Sequence, residues 1–122
     1  MQAAIAQGLG WDKAWFDGQA EGYQSAYHVL RSGLMEQGFH VLDSEATYFL
    51  CLDLHQSGID RPGIEFYLEA VKTFGVAAIP LKSLYEKPLE APPIIRLCFA
   101  KQEAVLRDAI GRLAQARQAM SA

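Results

Sequence analysis

Between residues 12 and 37 the apolar positions Phe16, Ala20, Tyr23, Tyr27, Leu30 and Leu34 return in alternating steps of four and three. That spacing is the stripe of an amphipathic helix, and Gly38 stands where a C-cap belongs. The stripe, aromatic at one end and aliphatic at the other, predicts a core-facing seam rather than an aromatic cofactor box. The pattern then shortens. Residues 39–42 and 47–52 are rich in β-branched and aromatic side chains and are separated by the polar Asp43, Ser44 and Glu45, which predicts two antiparallel strands. After Asp60 and Arg61, Pro62 stands near a first helical turn, and Ile64, Tyr67, Leu68 and Val71 mark one helical face as far as Gly75. Residues 76–79 read as a short strand stopped by Pro80, and residues 81–93 as a loop. Residues 94–100 are the most strand-like run, and residues 101–120 resume a helical period through Leu106, Ala109, Ile110 and Leu113.

The order helix, two strands, helix, two strands, helix predicts an α+β fold: a mainly antiparallel sheet of three to four strands with helices packed on one face. The first ten residues are alanine-rich and too short for a stable isolated helix. They read as the remnant of a connection to something longer, which makes residues 11–122 the domain proper.

Composition narrows the function. With 122 residues, 51% of them hydrophobic, the chain can build one core. Its formal charge of -3, with Lys and Arg scattered along the chain, offers no footprint for a phosphate backbone, so nucleic acid is not an expected partner. No apolar run reaches the roughly 20 residues needed to cross a bilayer, and no basic segment opens a signal peptide. A cytoplasmic protein with no membrane partner is expected. Cys51 and Cys98 lie inside apolar strand-like runs and read as core-packing free thiols. His28, His40 and His55 lack the close spacing of a zinc site, so no metal is expected. Asp53 and His55 could share a strand face, but no nucleophile accompanies them, and Gly8-Leu9-Gly10 is too short for a phosphate loop.

The segments Gly75-Val76-Ala77-Ala78-Ile79-Pro80 and Ile95-Arg96-Leu97-Cys98-Phe99-Ala100-Lys101 resemble the class I/II aminotransferases, in particular the branch with the kynurenine and methionine enzymes. Gly38-Phe39, Thr47-Tyr48-Phe49 and the run from Val105 to Leu113 are similar to further pieces of that family, in family order, so the resemblance covers essentially the whole chain. It implies the C-terminal small domain of a pyridoxal-phosphate-dependent enzyme, folded against a large domain that would be its partner. In that family a strand presents an arginine that forks onto the α-carboxylate of amino acid and 2-oxo acid substrates. The matching residue is Arg96, and Tyr48, Ile79 and Pro80 match lining positions. A planar guanidinium suits this task because two parallel charged hydrogen bonds fix both the position and the rotation of a carboxylate. Without the resemblance, Arg96 reads as a strand arginine that points to solvent or meets a surface acid.

The family also requires a lysine that carries the cofactor covalently, an acid against its ring nitrogen and a phosphate cradle, all in the large domain. Lys13, Lys72, Lys82, Lys87 and Lys101 stand in no such setting, so this chain alone is expected to bind no cofactor and to be inactive. Leu81, Lys82 and Leu84 before Tyr85 depart from the family's Gly-Ser-x-Phe pattern, as does Ala46 from its usual glycine. Leu81 is thereby expected to carry strain wherever the glycine used a positive φ. Trp11, Trp15 and the aromatic stripe leave apolar surface that predicts an interface and self-association of the isolated chain. Two readings stay open: a fragment of an aminotransferase, or of a β-lyase with the same clamp, and a free-standing non-catalytic α+β binding module.

Overall fold

The computed structural model describes residues 1–121, apart from the side chain of Leu89. Helix α1 (Gln2–Leu9) buries nothing. Helix α2 (Lys13–Glu36) is capped by Asp12, whose carboxylate accepts from the Trp15 amide at 3.2 Å. It ends in a Schellman turn: Gly38 takes φ +81°, its amide donates to the Met35 carbonyl at 2.9 Å, and the Phe39 amide donates to the Leu34 carbonyl at 3.0 Å. Strand β1 (His40–Val41), strand β2 (Phe49–Asp53), helix α3 (Gly63–Lys72), strand β3 (Ile79–Pro80), strand β4 (Ile94–Cys98) and helix α4 (Glu103–Met120) follow. The four strands form one antiparallel sheet in the order β1-β2-β4-β3.

Strand alternation divides this sheet into two unlike faces. Leu50, Leu52, Ile95 and Leu97 turn to one side and are buried with Leu30 and Leu34 of α2, Phe66 of α3 and Leu113 of α4. Phe49, Cys51, Ile94, Arg96 and Cys98 turn to the other side and stay half-exposed. The helices therefore cover a single face, as the sequence pattern predicts.

Several boundaries differ from the sequence reading. Residues 76–78 do not pair; the strand is Ile79–Pro80, with Pro80 inside it opposite Ile95. An edge strand tolerates this, because no neighbour requires the missing amide. The segment read as a loop contains 3-10 helical turns at Leu81–Leu84 and Pro88–Glu90. Leu81 carries no positive φ; among the described residues Thr47, at +69°, is the non-glycine residue that does. Only the C-terminal half of the α2 stripe is core. Leu30 and Leu34 are buried, whereas Phe16 and Tyr23 are 41% and 42% exposed. A helix of 24 residues spans about 36 Å, twice the reach of five-residue strands, so its first turns overhang the sheet.

Arg117 of α4 closes the far end of the core. Its Nε donates to the Ser57 carbonyl at 2.8 Å, and Ser57, itself buried, accepts from the His40 amide at 2.8 Å and donates to the Asp53 carbonyl. The guanidinium also fills the space beside Gly38, where an added Cβ would lie 3.0 Å from its Cζ. Gly38→Ala is therefore expected to lower stability by about 1–2 kcal/mol in a urea melt, from strained backbone and displaced Arg117 together. Gly18→Ala, in an open stretch of α2, is expected to raise stability by up to about 1 kcal/mol.

Candidate functional site

The open face of the sheet carries two charged residues, Asp53 at the end of β2 and Arg96. Arg96 stands at the centre of β4, directly opposite Cys51 on β2 and Ile79 on β3. Its Cζ lies 3.9 Å from the centroid of the Phe49 ring. Its Nε is buried without a hydrogen-bond partner, and among the described residues it forms no ion pair. The residue is half-exposed, but its Nε meets neither solvent nor a surface acid. A buried guanidinium nitrogen without an acceptor is costly, and a carboxylate arriving on this face would supply one.

Beside Arg96 a cavity of about 410 Å³ opens where β3 stops short of the end of β4. Its lining includes Phe49, Ile79, Arg96 and Cys98 of the sheet, Lys101, and Ala109 and Arg112 of α4. Two of its charged groups engage each other: Arg112 Nε donates to Asp108 Oδ2 at 2.6 Å, and Arg112 Nη1 donates to the Phe74 carbonyl at 3.1 Å.

The other lining candidates separate. Ile79 pairs with Arg96 and lines the cavity. Pro80 turns to the buried face, beside the start of α3, where a Cβ on Gly63 would lie 3.7 Å from it. Tyr48, just before β2, is 46% exposed, with its ring 4.6 Å from that of Phe49 and 6.4 Å from that of Tyr23. Nothing in the sequence marks Phe49 as a site residue, because its diagonal relation to Arg96 exists only in the observed register.

Both cysteines are free and half-buried on the open face flanking Arg96, not in the core, because alternation assigns the core to Leu50, Leu52 and Leu97. Burial pushes the Cys51 thiol up from its ordinary value, and the nearby Arg96 charge offsets this only in part. The unfolded chain therefore releases this proton first as pH rises. The stability held by the protonated thiol is complete below the unfolded value and is lost as pH climbs from there to the folded one. Iodoacetamide labelling of Cys51 is expected to rise at higher pH than for an ordinary thiol, and Arg96→Gln is expected to shift that rise higher still.

Other candidates do not assemble. Asp53 accepts from the amide and side chain of Gln56 at 2.9 and 3.1 Å rather than meeting His55. Among the described residues no group of three or more His, Cys, Asp or Glu is placed to hold a metal ion. Among the described residues no helix is long and apolar enough to cross a membrane. The residues present fit pyridoxal phosphate only in part: Lys101 lines the cavity, but the cavity's acid, Asp108, is held by Arg112, and Lys13 and Lys87 pair with Asp17 and Glu90 at the surface.

The chain is similar to known proteins along nearly its whole length. Residues 1–113 match the family described as aminotransferase class I and II. A probable N-succinyldiaminopimelate aminotransferase of Mycobacterium tuberculosis is 32% identical over 120 residues, covering 92% of this chain and 30% of its own length. The methionine aminotransferase of Escherichia coli is 37% identical over 93 residues, covering 76% of this chain and 24% of its own. The solved N-succinyldiaminopimelate aminotransferase of M. tuberculosis superposes with a TM-score of 0.84 at 33% identity, over 94% of this chain and 30% of that one. The chain thus spans less than a third of these relatives.

Proposed function

The chain belongs to the class I and II aminotransferase family, and on that premise we propose that it is the C-terminal small domain of a cytoplasmic, pyridoxal-phosphate-dependent aminotransferase whose Arg96 clamps the substrate α-carboxylate. The observation that carries this reading is the guanidinium on the open sheet face, with its Nε buried and unpartnered and no ion pair among the described residues. Residues 1–10 would then continue toward a large domain, and residues 11–122 would form the small one. The large domain would hold the cofactor, which supplies an electron sink for the substrate's Cα carbanion. This chain's part is to bind and orient. Two parallel N–H donors of Arg96 grip the carboxylate of an amino acid or 2-oxo acid and fix the direction of its Cα–H bond. Ile79, beside Arg96, gives that site an apolar wall. The clamp by itself serves transamination and β-elimination alike.

The overhanging start of α2, with Trp11 just before it, supports a large apolar partner. Trp11, Trp15, Phe16 and Tyr23 are 48%, 44%, 41% and 42% exposed, and the two tryptophan rings meet edge-on at 4.5 Å. Such a patch marks an interface. The 122-residue chain by itself is expected to self-associate with rising concentration in light scattering, and Trp15→Glu is expected to suppress this.

The test is the native polypeptide captured from its source cells. It is expected to exceed 122 residues, to carry pyridoxal phosphate, and to move an amino group from an amino acid to a 2-oxo acid. A native product of 122 residues with no transfer would overturn the reading in favour of a free-standing, non-catalytic binding module.

A further inference from the structure

Resting on the reading of Arg96 as the clamp, we infer that Phe49 is its positioning residue: the ring carries the guanidinium on its face and leaves the N–H edge free for a carboxylate. The register makes this contact possible. Cys51 stands opposite Arg96 and Phe49 opposite Cys98, so Phe49 and Arg96 are diagonal neighbours on the same face of adjacent strands. Diagonal neighbours lie about 7–8 Å apart, within reach of an aromatic ring and a long side chain. Arg96 closes that gap and places its Cζ 3.9 Å from the ring centroid. The ring is supported in turn, since Tyr48 packs 4.6 Å from it at 51°, and Tyr23 of α2 packs 6.4 Å from Tyr48.

The choice of a ring has a chemical consequence. A carboxylate at this position would fix the arginine equally well but would consume the donors that a substrate needs. An aromatic face attracts the cation through its quadrupole and accepts none of the in-plane hydrogen bonds. The remaining neighbours make no competing demand: Ile79 is apolar, burial pushes the Cys51 thiol up, and Asp53, the other diagonal neighbour, turns its carboxylate to the amide and side chain of Gln56. The stack also needs a planar cation, so it favours arginine over lysine at position 96.

The test uses the ¹⁵N-arginine-labelled 122-residue chain, with the Arg96 Nε–Hε signal assigned by its disappearance in Arg96→Lys. In the unsubstituted chain this signal is expected to be shifted upfield by the Phe49 ring current. Titration with 2-oxobutanoate against equal sodium chloride is expected to move it saturably. Phe49→Leu is expected to abolish the ring-current shift and weaken 2-oxobutanoate binding roughly threefold, with Phe49→Tyr restoring both. An Arg96 signal without an upfield shift in the unsubstituted chain overturns the positioning role, whether or not Phe49→Leu folds. So does unchanged binding in Phe49→Leu. The clamp reading fails separately: saturable binding of 2-oxobutanoate, followed on backbone amides of the open face, would then survive Arg96→Gln.

Discussion

Phe66→Ala is expected to lower the stability of the chain by about 3–5 kcal/mol, the range for deleting a fully buried phenyl ring. Phe66 is the largest of the side chains with no exposed surface, and it belongs to a helix of only ten residues. That helix has little else to hold it. Its other buried residues are Gly63 and Ala70, too small to anchor it, yet α3 packs on β3, β4 and α4 together. Removing the ring opens a cavity at the junction of three elements, and the surrounding backbone can close it only in part. Against a total stability of about 5–15 kcal/mol for an ordinary domain, this is a large fraction of what keeps the chain folded. With a urea m-value of about 1–3 kcal/mol per molar, the unfolding midpoint should drop by at least roughly 1 M. Phe16→Ala provides the contrast, because that ring is 41% exposed on the overhang of α2; its midpoint should move little. A Phe66→Ala loss below about 1 kcal/mol would mean that α3 is not part of the cooperative core.

The two phenylalanines also show how far the sequence can be read. Both lie in helical segments, and periodicity ranks them the wrong way: it puts Phe16 on the core stripe and reads Ile64, Tyr67, Leu68 and Val71 as the face of α3, whereas Phe66 and Ala70 are buried there and Leu68 and Val71 are 43% and 38% exposed. Phe16 is exposed because α2 outruns the five-residue strands it packs on, and the extent of the sheet is not a local property. The same limit appears in the strands. Alternation places Arg96, Cys98 and Ile94 on one face, because that follows from the chain's own pleat. It does not reveal that this face stays uncovered, nor that Cys51 and Phe49 join it, since both facts depend on which strand lies beside β4. Local pattern therefore assigns the cysteines to the core and leaves Phe49 an ordinary strand aromatic. At Leu81 the family pattern predicts a strained backbone, whereas the local chain settles into a 3-10 turn that a leucine enters without strain. The positive φ falls instead at Thr47, whose hydroxyl accepts from the Phe49 amide at 3.2 Å. A β-branched residue gives no signal for that conformation in advance.

Arg96→Lys, made in the native polypeptide of the proposed aminotransferase, is expected to lower kcat/KM for amino-acid substrates by about thirtyfold, or about 2 kcal/mol. Lysine keeps the charge, so long-range attraction of the carboxylate persists. What it loses is geometry. An ammonium cannot offer two parallel donors, and it lacks the planar, delocalised cation whose Cζ sits over the Phe49 ring, 3.9 Å from its centroid. The carboxylate is then held at one point and free to rotate, so the loss should appear in kcat as well as KM, because rotation misdirects the Cα–H bond. Arg96→Gln removes the charge too and should cost more. The control is a primary amine substrate without a carboxylate: its slow turnover should be the same in the unsubstituted enzyme and both variants, since it makes no use of the clamp. Amino-acid kinetics left unchanged by Arg96→Lys would remove Arg96 from the substrate site. The unpartnered Nε on the open face would then have to be answered by some other acceptor from the rest of the polypeptide.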